Sequence, residues 1–327
     1  MRALLAVLAL TAAAPPAAPE GPESRAPTTG VEVLPLHDLS GPNGLVPLNW
    51  ASVAADRASG EVFVTGEGFV RIFNQVGMET YRLGDDGSLG WIQRVAVLED
   101  GSLILLTTLN GARALLHCDY RGEPIARFVL SGLPQGFDDF APDAVVHRNR
   151  RLYFAERSRM RVVVTDTDGV YRQSYQIADL VARAVRSDAD RKPTGSMDGF
   201  GVDPSGKLLF TSSVLFAAGV VSPSGELRLF GSRGSTPGRF NNVGGIDADE
   251  KGNLYVTDRL RAVVSIWSPD LRHLGEFGYR GYGPSNLIAP WELAVVGDRV
   301  YVSQAASRGV KAYRVRLPDG AGAGSAR

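Results

Sequence analysis

The stretch that decides the fold runs from Phe230 to Tyr313. It opens with FGSRGSTPGRF (230–240) and continues with GGIDADEKGNLYVTDRLRAVVSIWSPDLRHLGEFG (244–278). The same order returns as YRGYGPSNLIAPWELAVVGDRVYVSQ (279–304), which precedes GVKAYRV (309–315). In each copy a loop rich in glycine leads to an apolar strand, a tight turn and a second strand. A period of this kind predicts one supersecondary unit repeated along the chain.

Weaker copies of the second strand extend the period over the whole chain. Six short apolar segments share its pattern and begin at Glu61, Ser102, Arg151, Lys207, Asn253 and Arg299. Most of them follow a turn containing aspartate and glycine, and aspartate in such turns binds its own backbone. Their spacing is close to the roughly 40 to 50 residues of a four-stranded propeller blade. The period therefore predicts six blades.

The unit at 230–278 closely resembles an NHL repeat, the building block of a class of six-bladed β-propellers. The match is specific over 230–278 and fair over 278–315, and elsewhere only a weakened form of the pattern is present. The resemblance implies an all-β, six-bladed β-propeller. Propellers of this kind include enzymes, binding modules and scaffolds, so the resemblance implies an architecture and leaves the function open.

The two ends of the chain are predicted to meet in one blade. The last blade has strands near Trp291, Arg299 and Val310, and then the chain runs out. The apolar segment Val31 to Leu39 is predicted to supply the missing outer strand and so to close the ring. Pro35 suits this position because proline is tolerated at the edge of a sheet.

One insertion interrupts the period between the third and fourth blades. Ile177, Leu180, Val181, Ala184 and Val185 have the spacing of the apolar stripe of a helix. We predict a short helix over 177–186 that either packs between blades or covers one face as a lid. Packing is the favoured interpretation, because an apolar stripe first indicates burial.

The termini are predicted to lie outside the propeller. Residues 1–18 have the charge, apolar core and small-residue region of a secretory signal peptide, and 19–30 form a Pro-rich linker. The propeller is assigned to 31–317 and a disordered tail to 318–327. These features predict an exported protein, periplasmic or extracellular, without a transmembrane segment and monomeric.

Composition narrows the classes of partner. Lys plus Arg and Asp plus Glu both number 35, so no overall field attracts nucleic acid. Six arginines between 148 and 161 are interpreted as a solvated blade edge or a patch for an acidic partner, and no nucleic acid partner is expected. Cys118 is the single cysteine, and its apolar strand predicts a buried small hydrophobe. The expected partner is a protein or a small ligand.

The innermost strand of each blade should line the central channel. These strands are predicted at 49–56, 93–100, 142–149, 196–203, 242–249 and 290–297. Alternation along a strand places positions one and three of each on one face. That face is predicted to line the channel and to bring Asn49, Gln93, Asp198, Asn242 and Glu292 to one mouth. Position two is predicted to lie between blades and comprises Trp50, Arg94, Asp143, Met197, Val243 and Trp291. Arg94 and Asp143 fit the channel instead if the register there slips by one.

A calcium ion is the cofactor that this mouth could hold. Asp198, Glu292, Asn49 and Asn242 offer oxygen ligands, which hard cations prefer. The set loosely resembles the calcium sites of lactonase-like six-bladed propellers, without their flanking motifs. The alternative is a polar channel filled with water.

A zinc site of the kind found in the peptide-amidating lyase, which resembles NHL proteins, is disfavoured. It would need three histidines to meet at the channel. None of the four histidines begins a predicted inner strand; they are His37, His117, His147 and His273.

Two functional hypotheses follow. The first is a non-catalytic binding or scaffold module that recognises its partner at the mouth, with a surface patch formed by Trp91, Phe137, Phe140 and Phe240. The second is a calcium-dependent hydrolase resembling lactonases, with the metal in the channel. The first is favoured, and enzymatic activity stays undecided.

Overall fold

The computed structural model describes residues 30–185 and 195–318, and the regular secondary structure of these residues is almost entirely β. The first half of the strands, in chain order, is β1 (Glu32–Asp38), β2 (Ser40–Gly41), β3 (Gly44–Leu45), β4 (Ser52–Ala55), β5 (Val62–Thr65), β6 (Val70–Phe73), β7 (Glu79–Leu83), β8 (Trp91–Val97), β9 (Leu103–Leu109), β10 (Ala112–Cys118), β11 (Pro124–Arg127), β12 (Ala144–Arg148) and β13 (Arg151–Glu156). The second half is β14 (Arg161–Thr165), β15 (Tyr171–Gln176), β16 (Phe200–Val202), β17 (Leu208–Ser212), β18 (Ala217–Val221), β19 (Leu227–Phe230), β20 (Val243–Ala248), β21 (Leu254–Asp258), β22 (Val263–Trp267), β23 (His273–Gly278), β24 (Leu293–Val296), β25 (Arg299–Ser303) and β26 (Val310–Arg316). Within these ranges one helix, α1, spans Ile177–Ala184, and a single 3-10 turn spans Arg157–Arg159.

The strands form six antiparallel sheets of four, which are the blades of a propeller. Blades 1 to 5 take consecutive strands, from β4–β7 in blade 1 to β20–β23 in blade 5, while β2 and β3 form a small separate hairpin. The first strand of each blade faces the axis, and apolar clusters fill the space between neighbouring blades. The predicted fold class, an all-β six-bladed β-propeller, is confirmed.

The N-terminal strand closes the ring. Blade 6 has the order β1-β26-β25-β24, so the strand from the start of the chain is its outer member. Val33 pairs with Val315, and the ladder shifts between Pro35 and His37. Val31 is 2% exposed and belongs to the apolar cluster between blades 5 and 6. The predicted closure is confirmed, with Pro35 on an outer edge as its missing N–H requires.

A recurrent hydroxyl joins neighbouring blades near the channel. The hydroxyl of Thr65, at the end of β5, donates to the carbonyl of Gln93 at 2.9 Å, and the hydroxyl of Thr257, the penultimate residue of β21, donates to the carbonyl of Trp291 at 2.8 Å. Blade 3 carries Ala155 at the corresponding position of β13, where no hydroxyl is available. Blade 3 therefore needs a different joint, by which we mean the hydrogen bond that connects the second strand of one blade to the next blade.

Helix α1 packs between blades 3 and 4. Ile177 and Val181 are buried and belong to a cluster with Val162, Met197 and Phe210. The predicted helix is confirmed over Ile177–Ala184, and the packing interpretation holds for these residues. The predicted signal peptide, almost all of the linker and nearly all of the tail lie outside the described residues and stay predictions.

The arginine-rich segment differs from the solvated edge that its charge predicted. Arg161 is 7% exposed and binds Glu156 at 2.5 Å and Asp139 at 2.9 Å. Arg148 is also buried, whereas the Arg150 side chain is exposed. The run is thus a mixture, because alternate residues of a strand face opposite sides of the sheet. Cys118 is buried as predicted, and burial raises the pKa of its thiol to about 11.

Candidate functional site at the channel mouth

All six innermost strands contribute to a central cavity of about 110 Å³. The cavity is the channel of the propeller, and each innermost strand begins at the same end of it. We call this end the mouth. It is defined by Trp50, Arg94, Asp143, Arg157, Asp198, Arg259, Trp291 and Glu292.

Two tryptophans and an arginine from three consecutive blades are stacked at the mouth. The rings of Trp50 and Trp291 are stacked with centroids 5.9 Å apart, and the Arg259 guanidinium lies 4.5 Å from the Trp291 ring centroid. Trp50 is 56% exposed and has a left-handed backbone with φ 52°. A bulky residue in this conformation is strained, and its N–H is held by the carbonyl of Gln304 at 3.0 Å. The fold thus holds a large aromatic ring in contact with solvent.

Three arginine–carboxylate pairs surround this stack. They are Arg94 with Glu292 at 2.8 Å, Arg157 with Asp143 at 2.9 Å, and Arg259 with Asp198 at 3.4 Å. Each of the six side chains retains only 16% to 24% of its exposure. The charges of the mouth therefore balance in pairs.

Burial is the main influence on the pKa of two of these arginines, Arg94 and Arg259. Burial lowers the pKa of Arg94, and the opposing charge of Glu292 offsets part of that effect. The pKa of Arg259 is lowered by burial in the same way, with Asp198 opposing. Guanidinium groups stay charged in proteins, so each arginine requires its carboxylate in this desolvated position.

Placement of position two between blades is wrong for Trp50 and Trp291, whereas Arg94 and Asp143 lie at the channel, the alternative given for them. Met197 and Val243 are buried as predicted, but Trp50 is exposed and Arg94 lines the channel. Arg94 does so because a bulge shifts the register of β8 between Ile92 and Arg94. Trp50, Asp143 and Trp291 precede their strands, where the alternation of side chains does not apply.

The remaining predicted polar residues have separate environments. Asn49 is exposed in the loop before β4. Gln93 is half-buried in the bulge, with its Nε2 3.5 Å from the Thr108 hydroxyl. Asn242 receives the Arg259 N–H on its carbonyl at 2.8 Å, while its buried side-chain Oδ1 has no protein partner in the described part of the chain.

The predicted aromatic patch is wrong in two of its four members. Phe240 is fully buried and packs 5.7 Å from Trp267, because it belongs to the core between blades 4 and 5. Phe137 is 4% exposed, and the half-buried ring of Phe140 packs against it at a tilt, with centroids 5.8 Å apart. Both rings support the Arg161 guanidinium, at 5.4 and 5.8 Å, so they anchor their own loop. Trp91 is 57% exposed and covers Gly68, where a Cβ would lie 2.5 Å from its ring.

The four residues expected to bind calcium do not match what a calcium site needs. Asp198 accepts the Ser213 N–H at 2.6 Å on one oxygen and pairs with Arg259 on the other, and Glu292 pairs with Arg94. A guanidinium beside each carboxylate competes with a cation for the same oxygens. Among residues 30–185 and 195–318, no group of three or more His, Cys, Asp or Glu could hold a metal ion.

Arg157 and Arg259 are the mouth residues that sequence reasoning missed. Each directly follows the second strand of its blade, after Glu156 and Asp258 respectively. An arginine at the same offset in two blades is a signal that the sequence contains. At the other end of the channel, Arg57 pairs with Asp247 at 3.0 Å.

Comparisons with known proteins support the fold. No family model matches the chain, and no curated protein matches it in sequence. A protein of unknown function from Bacteroides thetaiotaomicron superposes with a TM-score of 0.58 and 14% identity, over 88% of this chain and 76% of that one. A gluconolactonase from Xanthomonas campestris gives 0.57 and 14%, over 91% and 99%. Regucalcin, a calcium-binding protein from Agrobacterium tumefaciens, gives 0.56 and 15%, over 83% and 92%.

These similarities establish the propeller fold and no more, because identities this low do not transfer a function. The shared fold agrees with the six blades that the sequence period predicts. In the described ranges no helix has the length and apolar character needed to cross a membrane.

Proposed function

We propose that this protein is an exported, NHL-type β-propeller that binds a protein or small ligand at the mouth and catalyses no reaction. The repeat-like unit at 230–278 supports the NHL type, and the composition of residues 1–18 supports export to the periplasm or the exterior. The mouth is the place for recognition because loops on a rigid scaffold carry most binding residues.

The exposed Trp50 ring carries this proposal. A strained backbone persists only where the surroundings impose it, and such strain concentrates at ligand sites. Trp50 and Trp291 with Arg259 combine the residue types that dominate binding energy at interfaces. The outer face of the Trp50 ring offers a flat apolar surface, and the paired charges around it form a polar rim. This arrangement favours a partner that places a planar or apolar group on the ring.

A calcium-dependent hydrolase resembling lactonases is the alternative. The fold permits it, since its structural neighbours include a gluconolactonase and the calcium-binding regucalcin. Asp198 and Glu292 reach the mouth with 23% and 16% exposed side chains, but each already has an arginine partner. Binding without turnover therefore fits the described residues better.

Affinity capture with matched variants tests the proposal. The immobilised wild-type chain, Trp50→Ala and Ile125→Ala are each incubated with an envelope extract, and any captured component is purified and titrated against all three. Ile125 is 59% exposed on the outer strand of blade 2 and controls for loss of an exposed apolar group. We expect Trp50→Ala to weaken binding at least about tenfold and Ile125→Ala to leave it unchanged.

Two results would contradict the proposal. One is a titrated component that binds Trp50→Ala as tightly as the wild type. The other is calcium-dependent hydrolysis of lactone substrates by the wild-type chain that Asp198→Ala with Glu292→Ala abolishes.

A further inference from the structure

A groove separate from the channel lies between blades 1 and 2. It has a volume of about 560 Å³, within the range of roughly 300 to 1,000 Å³ typical of small-molecule sites. Turns at the ends of the innermost strands border it, so it opens on the face opposite the mouth. We call it the tyrosine groove, after Tyr81 and Tyr120.

The floor of the groove continues the core between the two blades. Phe63, Ile72 and Tyr81 are direct partners on β5, β6 and β7 and so form one row across blade 1. Phe63 and Ile72 are 5% and 6% exposed, while Tyr81 is 49% exposed. Blade 2 thus covers the inner part of the row and leaves the outer part open. Apolar surface and an aromatic ring are therefore available at the groove.

Two tyrosines form its outer wall. The hydroxyl of Tyr81 donates to the main-chain oxygen of Arg121 at 3.4 Å, so its ring spans the gap between the blades. Tyr120 is 62% exposed, and the Arg121 guanidinium lies 5.2 Å from its ring centroid. One ring of the groove already carries a cation on its face, which is the interaction that aromatic rings offer to ammonium groups.

Two carboxylates border the inner part of the groove. Asp56 accepts the N–H groups of Ala58 and Ser59 in its turn, and Glu61 lies 3.4 Å from the Ser59 hydroxyl. Neither carboxylate forms an ion pair within the described ranges, in contrast to the carboxylates of the mouth. Among the described residues that line the groove, Asp56 and Glu61 are anionic and Arg121 is cationic, so this lining has a net charge of −1. Its electrostatics therefore favour a cation.

We propose that the tyrosine groove binds a small organic cation, an ammonium group carried on an apolar body. The apolar body contacts Phe63 and Ile72, and the ammonium group lies between the tyrosine rings and Glu61. This site is independent of the mouth, so its test is separate from that of the proposed function.

Three probes that share a phenyl body test the charge preference. The full chain is titrated by NMR with 2-phenylethylammonium, 2-phenylethanol and phenylacetate, which are cationic, neutral and anionic. We expect saturable binding of the ammonium, at least about tenfold tighter than that of the alcohol, and weaker binding still of phenylacetate. Equal affinity for the alcohol, or preference for phenylacetate through Arg121, would overturn the proposal.

Matched variants locate the site. Glu61→Gln and Tyr81→Leu should each weaken ammonium binding severalfold to tenfold, while Tyr81→Phe keeps the ring and the affinity. Glu123→Gln is the control, since this exposed carboxylate lies in the adjacent turn outside the groove. Wild-type affinity in both Glu61→Gln and Tyr81→Leu would show that the cation binds elsewhere and would overturn the assignment.

Discussion

Blades 5 and 3 are both four-stranded sheets, but the hydrogen bonds that join each of them to the next blade differ. In blade 5 the Thr257 hydroxyl donates to the carbonyl of Trp291 in blade 6, at 2.8 Å. In blade 3 the corresponding residue is Ala155, and the Arg157 guanidinium instead donates to the carbonyl of Asp198 in blade 4, at 3.1 Å. The joint of the regular blade 5 is thus a neutral hydroxyl hydrogen bond, and the joint of the irregular blade 3 is a hydrogen bond from a charged guanidinium.

The difference shows how two blades are joined where the recurrent hydroxyl is missing. A hydroxyl joint satisfies one carbonyl and adds no charge. The arginine joint satisfies a carbonyl and also needs a counter-ion, which Asp143 supplies at 2.9 Å. In blade 3 the charge that takes the place of the hydroxyl is thus neutralised within the protein. Blade 5 has the hydroxyl and also an arginine at the same offset, Arg259, which Asp198 neutralises.

Removal of residues 31–39 should have the largest effect on stability. Without β1 the propeller loses its closing strand and exposes the edge of β26 together with the cluster around Val31. We expect the free energy of unfolding to fall by more than about 4 kcal/mol, measured by denaturant titration. Leu34→Ala, an exposed site on the same strand, is the control and should change it by less than about 0.5 kcal/mol. An unaltered unfolding curve for the deletion would refute closure of the ring.

Removal of either joint should lower the free energy of unfolding, and the two decreases should differ. Arg157→Met removes charge-assisted bonds and leaves Asp143 unpaired, at a cost of about 2 kcal/mol. Thr257→Val removes one neutral hydrogen bond, at a cost of about 1 kcal/mol. Chemical unfolding of both variants checks the order. If Thr257→Val costs more than Arg157→Met, the two joints do not differ as described.

Acid should remove a smaller contribution to stability, the one made by the bonds between Asp139 and the arginines of blade 3. Hydrogen bonds from Arg161 and then Arg159 lower the pKa of Asp139 below its ordinary 3.8. Because the folded pKa is below the unfolded one, this contribution is complete above the unfolded value and is lost as pH falls through the folded one. Asp139→Asn should therefore lower the Tm at pH 7, and the difference from wild type should shrink below about pH 4.

The neighbouring carboxylate provides the control for that pH series. Asp138 is exposed in the same loop and forms no ion pair within the described ranges, so Asp138→Asn should change the Tm at pH 7 much less than Asp139→Asn does. A Tm difference between wild type and Asp139→Asn that stays constant down to pH 2.5 would contradict the assignment to Asp139.

The blades could be predicted from the sequence because their signals are local. A turn with Asp and Gly before most of the second strands, as at 249–252, sets a register that the sheets follow. The closing strand was predictable for a different reason, since an edge position explained both the apolar segment at 31–39 and its proline.

The mouth could be predicted only in part because its geometry departs from regular strands. The bulge at Arg94 and the left-handed backbone of Trp50 reverse the faces that alternation assigns. The alternation of side chains along one strand also cannot predict which charged residues of different blades form ion pairs. Arg94 and Glu292 are far apart in sequence and meet only because the ring closes.

Calorimetric titration of the chelator-treated protein with calcium chloride tests the central claim most directly, that arginines satisfy the carboxylates of the mouth and leave it as a binding surface. We predict no saturable calcium binding up to about 1 mM, the weak end of protein calcium sites. Stoichiometric binding well below that concentration, lost in the double variant Asp198→Asn with Glu292→Gln, would contradict the claim and make the mouth a calcium site.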